Sequence, residues 1–333
     1  MKNRMGLQYS KFAVDEKPYC LWDEDLNFQN QIFIQSIDPV YFEHVAQANS
    51  SFLAGDSRQY AALALRAAYS QGLETFFSIL AATIQAPDCV IGWMLKYQNC
   101  DLDKVIRKIH TRTPVKNKWK LKDCSWEGVS SLIFSVVATG DKEKDKEVQF
   151  AFAKLWRRLA EDFLDKKKSH EYNSIKHGLR ISSSGIQTFM GLETEPGIPA
   201  PPERMEPFIV SEYGSTFYIP EKLVNGQNLR VVRQSMTWQA EKFVQALGFV
   251  SVSISNVLSF LKHVNRFEIE ELGFLIPTDL ALFEKPWEIM GGNASISFKT
   301  IIKEDRIKVF TSDEILSVYE VVKDEEKEPN PKT

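Results

Sequence analysis

The chain has 333 residues, of which 44% are hydrophobic, 12% aromatic and 26% charged, and its formal net charge is -3. That length exceeds one average domain, and the apolar content is enough for a packed core without covalent staples. The nearly balanced charge excludes a chain that binds nucleic acid through its overall field, so any RNA contact needs a local patch.

Residues 1–37 lack sustained periodicity and read as an extended N-terminal arm, with Trp22, Phe28, Ile32, Phe33 and Ile34 available to dock on the body. Helical character starts at Asp38, where Asp precedes Pro in the pattern of an N-cap and first helical position. Over 57–85 the apolar residues Leu65, Tyr69, Leu73, Phe76, Leu80 and Ile84 form one stripe, opposite small and polar residues that include Ser70 and Gln85. This helix stops at Ala86-Pro87, since proline cannot continue the hydrogen-bond ladder. Shorter helices are predicted over 90–97, 102–110 and 126–138, and a long one over 141–167.

After Arg180 the pattern turns strand-like, interrupted by a proline-rich loop or linker over 191–210. Strand-like pieces recur at 215–219, 229–236, 294–302, 306–311 and 315–322, the last three reading as an antiparallel meander. Gly291-Gly292-Asn293 reads as a turn. Between them, Phe243 to Leu261 carries no charge and approaches the length of a membrane span. Its apolar residues recur in steps of four and three along one seam, and serines, Gln245 and Asn256 interrupt it. A seam asks for a protein partner and lipid does not, so a buried helix over 239–264 is expected, with no membrane. The tail 323–333 has no apolar content and reads as disordered. The expected fold is α+β: a helical bundle over 38–190, then a smaller antiparallel-sheet lobe over 211–322 that contributes the long buried helix.

The four cysteines show neither a CxxC pair nor zinc-ligand spacing, and read as reduced thiols. No apolar run follows the charged N-terminus, so no cleaved signal is expected and the cytoplasm is the expected compartment. HExxH, Walker A and GxSxG motifs are absent from the sequence, and no cofactor or metal is expected.

The richest polar stretch is Glu171 to Arg180, EYNSIKHGLR. On a continuous helix His170, Asn173, His177 and Arg180 fall on one face, with Tyr172 and Lys176 a turn apart on the neighbouring stripe. The strip offers several donors and a neutral imidazole able to accept a proton. The same residues also suit a plain helix end, with Gly178 in the left-handed conformation and Lys176 and His177 at the negative pole. Glu74, among the few charges between Ala61 and Tyr97, should be paired or hold its proton more tightly. It is expected either against the strip, orienting His177, or in an ion pair with Arg66 or a lysine from another helix. The basic segment Lys104 to Lys122, which includes Trp119, would add an RNA surface if it lay beside the strip.

A long helical hairpin followed by a helix carrying Asn173 and His177 resembles the HEPN class of helical domains, over about residues 57–180. Ribonucleases of that class carry an Arg a few residues before a His, often with Asn directly after the Arg. Asn173 and His177 match, and Tyr172 stands where the Arg belongs. The family's Arg offers a forked permanent charge to an RNA phosphate and its His transfers the proton; Tyr172 supplies no such charge. The resemblance therefore implies a non-catalytic HEPN-like protein that binds a partner, RNA or a nucleotide, with Tyr172, Lys176 and Arg180 as binding residues, to which the strip and its carboxylate add His170 and Glu74. The alternative it implies is a metal-independent endoribonuclease, a toxin or defence-type effector, with His177 and Asn173 catalytic. HEPN-like bundles often pair, so the resemblance implies a homodimer or a protein partner, for which the seam on 239–264 is a candidate interface as well as core.

Overall fold

The computed structural model describes residues 7–137, 140–223, 228–268, 271–284, 295–302 and 307–319. The expected tail, the Gly291–Asn293 turn and the ends of the last two expected strands lie outside the described residues.

The N-terminal region is not an extended arm. Strands β1 (Gln8–Val14) and β2 (Lys17–Asp23) pair antiparallel from Gln8↔Asp23 to Val14↔Lys17, and α1 (Leu26–Ser36) follows. The turn places Asp15 at a φ of 52°, a left-handed conformation that Asp tolerates better than most residues. Gln85 anchors that turn in both directions. The Asp15 N–H donates to Gln85 Oε1 at 2.9 Å, and Gln85 Nε2 donates to the Asp15 carbonyl at 2.9 Å. Phe12 and Val14 on the inner face are buried, so the hairpin belongs to the core.

Helices α2 (Tyr41–Ser50), α3 (Arg58–Gln85), α4 (Val90–Lys96), α5 (Asn99–His110), α6 (Trp126–Ile133), α7 (Lys142–Leu164) and α8 (Lys166–Lys176) make up most of the body. Side chains on more than one face of α3 are buried from Ala61 to Gln85, as its apolar stripe and its small-residue face both require. The long helix expected over 141–167 is two helices. Asp165 takes an extended conformation between them, and its carboxylate accepts from the Lys167 N–H, capping α8.

Helix α9 (Ala240–Val264) is long and apolar enough to cross a membrane, yet 72% of its apolar window is buried inside the protein. It packs against α2 and α3 within the helical layer, not inside the sheet lobe. Gly72 on α3 permits that approach, since a Cβ there would meet Val250 Cγ1 at 3.0 Å. Several polar residues along α9 are satisfied by protein groups, whereas the buried Ser251 hydroxyl has no partner among the described residues. Trp156 Nε1 donates to Ser253 Oγ at 3.1 Å, and Asn256 bonds both ways with the backbone of Leu275.

A four-stranded antiparallel sheet has the order β3 (Ile181–Ser183), β6 (Tyr213–Lys222), β7 (Leu229–Trp238), β8 (Ser295–Lys299), and helix α10 (Ala281–Glu284) precedes β8. Strands β4 (Ile186–Met190) and β5 (Glu206–Ser211) form a separate ribbon around the proline-rich segment. Of the expected three-strand meander, only the first piece is a strand among the described residues. Thr311 begins a capping box with Glu314 and starts the short helix α11 (Ser312–Leu316), so local capping overrides the alternating pattern. Together these elements form an α+β fold, and one apolar cluster joins the hairpin, the helices and the sheet residues Tyr213 and Trp238.

Candidate functional site

Helix α8 carries the start of the polar stretch 171–180, and the first residue of that stretch, Glu171, is completely buried. Arg66 of α3 donates from Nε to Glu171 Oε2 at 2.7 Å, and its Nη2 lies 2.7 Å from the same oxygen. The other oxygen, Oε1, accepts from Trp238 Nε1 at 2.8 Å and from the Ser215 hydroxyl. Arg66 also donates to Ser70 and lies over the Phe243 ring, 5.4 Å from its centroid. A buried carboxylate is tolerated only with its charge paired and its lone pairs filled, and here both conditions hold. One residue thus ties α8 to α3, to β6 and to the end of β7.

A second buried group lies beside it. Tyr69 donates to Asp162 Oδ2 at 2.8 Å, while Asp162 Oδ1 meets Arg158 at 3.0 Å and the Lys168 ammonium. Burial and then the Asp162 charge push the Tyr69 phenol well above its ordinary range.

Between α3, α5 and α8 lies a cavity of about 120 Å³, lined among others by Arg66, Glu74, Asp103, Lys168, Tyr172 and Asn173. That volume lies below the range of ligand pockets. Glu74 Oε2 lies 3.7 Å from Lys176 Nζ. Of the pairings expected for Glu74, the structure therefore shows the lysine from another helix, while Arg66 belongs to Glu171. Glu74 also faces two phenols. Tyr172 is pushed up to about 12, first by burial, then by the Glu74 charge and a hydrogen bond to its carboxylate. Tyr97 is raised by burial and by Glu74. A phenol held protonated beside a carboxylate is a donor and serves poorly as a base near neutral pH.

The helix ends at Lys176. His177 has left the helical conformation, Gly178 has a φ of 90° and Leu179 one of 50°. The Arg180 N–H returns to the Ser174 carbonyl at 2.8 Å. The turn breaks the line His170, Asn173, His177, Arg180 that a continuous helix would draw. His170, His177 and Arg180 are exposed, and among the described residues neither imidazole has a side-chain hydrogen bond. Glu74, Tyr172, Lys176 and Asn173 are brought together; the two histidines and Arg180 stand outside that group.

Several cations of the basic segment are paired elsewhere. Lys108 pairs with Asp15 at 2.6 Å and Glu16 at 2.8 Å, Lys118 pairs with Asp88, and Arg107 pairs with Asp103. Trp119 donates to the Thr83 carbonyl and packs 5.3 Å from Phe260, so its ring belongs to the body. Among the described residues no group of three or more His, Cys, Asp or Glu is placed to hold a metal ion.

Sequence reasoning passed over Glu171, Ser215 and Trp238. A readable signal was Arg66 in an apolar helix, a charge that demands a buried carboxylate. In comparisons with known proteins, the chain matches no family model, no curated protein and no solved structure.

Proposed function

We propose that the chain is a non-catalytic, HEPN-like binding protein of the cytoplasm that engages RNA or a nucleotide. The observation that supports the non-catalytic part of this reading is the division of the α8 strip. Glu171 mounts the helix, Tyr172 and Lys176 are committed to Glu74, and His177 stands apart on a turn, its imidazole without a hydrogen bond among the described residues. Cleavage of a phosphodiester needs a positioned proton acceptor beside a phosphate-binding cation. The strip instead places the Glu74 carboxylate among its donors, which repels a phosphate. The alternative of a metal-independent endoribonuclease rests on His177 and Asn173 alone. Incubating labelled RNA with the purified protein and with His177→Ala separates the two: the proposal expects intact RNA in both, and cleavage abolished by the substitution overturns it.

Binding of a protein partner or of a second copy is the other reading. It is favoured by the β4–β5 ribbon, where Phe189, Met190 and Phe208 are all more than half exposed.

A further inference from the structure

The outer face of the four-stranded sheet carries a different surface, and it arises from strand register. The inner rows Ser215↔Met236 and Phe217↔Gln234 are buried toward the helices. Alternation then sends Thr216, Tyr218, Arg233 and Phe298 outward. Tyr218↔Arg233 and Arg233↔Phe298 are direct partners across three adjacent strands, so an arginine lies between two aromatic rings in one row. Tyr218 is 61% exposed and Phe298 55%.

Beside this row runs a groove of about 600 Å³ lined by Arg180, Ser182, Thr216, Tyr218 and Arg233, among others. Its volume falls in the range of ligand sites, whereas the cavity beside Glu74 does not. No carboxylate lines it, and among the described residues neither Arg180 nor Arg233 has an ion-pair partner. The neighbouring Arg230 shows the contrast, since Glu221 neutralises it on the inner face.

We infer that this outer face is the binding surface for single-stranded RNA. Tyr218 and Phe298 stack bases, Arg233 and Arg180 meet phosphates, and the hydroxyls of Ser182 and Thr216 stand in the groove to meet the ribose 2′-OH. Exposed aromatic rings on an antiparallel sheet, interleaved with guanidinium groups, suit unpaired bases joined by a charged backbone. Rings and guanidinium groups also serve protein interfaces, and alternation of the two along one row without a carboxylate is what favours a nucleic-acid strand. The inference rests on the RNA-binding reading above and moves its contact surface from α8 to the sheet.

The test is fluorescence anisotropy of the full chain with a labelled single-stranded RNA about ten nucleotides long. Expected results are a Kd raised at least about tenfold by Tyr218→Ala with Phe298→Ala, and similarly by Arg233→Ala, while Tyr218→Phe binds as wild type. Thermal melts of each variant, expected to match wild type because the positions are exposed, show that the fold is intact. Binding by wild type that these variants leave unchanged overturns the sheet surface and leaves the RNA-binding reading standing. No binding by wild type overturns both. Equal affinity for DNA of the same sequence overturns the assignment to RNA, and competition by polyglutamate as effective as by unlabelled RNA assigns the face to an acidic protein partner.

Discussion

Glu171 and Arg66 form a fully enclosed ion pair, 105 residues apart in sequence and 2.7 Å apart in space. A charge pair in that position contributes little over an apolar pair of the same shape, but removing one partner strands the other in a medium that cannot solvate it.

Replacing Glu171 with Ala is therefore expected to cost about 3–5 kcal/mol of stability, because Arg66 loses its counter-ion and Ser215 and Trp238 lose their acceptor. Urea unfolding of the wild type and variant checks this. Adding Arg66→Met to Glu171→Met should recover much of the loss, and a double variant no more stable than either single one would contradict the pairing.

Gly72→Ala gains helix propensity of about 1 kcal/mol but presses a methyl against Val250 at 3.0 Å. Overpacking costs about 1–3 kcal/mol, so a net destabilisation is expected where an ordinary helical glycine would give a gain. Adding Val250→Ala should make the same substitution stabilising relative to Val250→Ala alone. A higher Tm for Gly72→Ala in the wild-type background would show that α3 and α9 have room to part.

Gln85→Leu removes both hydrogen bonds to Asp15 and the acceptor of the Trp93 indole. With the Asp15 N–H left without its partner, the hairpin should open locally ahead of the rest of the fold. Hydrogen exchange over residues 8–23 is expected to accelerate in the variant, and unchanged protection there would mean that Phe12 and Val14 hold the hairpin without Gln85.

The Tyr172 phenol is pushed up to about 12 in the folded chain, above its ordinary value near 10. Because the folded state holds the proton more tightly, this group's contribution is intact below about pH 10 and is lost as pH rises toward 12. Thermal stability should fall across that window, and Tyr172→Phe should fall less steeply. Equal slopes for the two proteins would separate Tyr172 from Glu74.

The long helices were legible because burial imposes a period. The helix predicted over 57–85 is Arg58–Gln85, and the one predicted over 239–264 is Ala240–Val264. The hairpin was not legible: its turn uses Asp15 and Glu16 with no glycine, and its anchor, Gln85, lies 70 residues away. Glu171 stayed hidden for a similar reason. In sequence it follows a run of lysines and reads as solvated, and only tertiary packing of α8 under β6 removes it from water. For the strip, the sequence offered two readings, a continuous polar face and a helix end at Gly178, and the structure shows the second, with Gly178 and Leu179 turning the chain out of the helix. The alternation at 315–322 suggested a strand, yet Thr311 and Glu314 already held the signature of a helix start.

The claim that the protein binds RNA without cutting it is tested most directly by following one labelled RNA through both binding and length in the same reaction. The account predicts a saturable anisotropy change with the RNA intact, for wild type and His177→Ala alike. Shortened RNA with the wild type and full-length RNA with His177→Ala would contradict it.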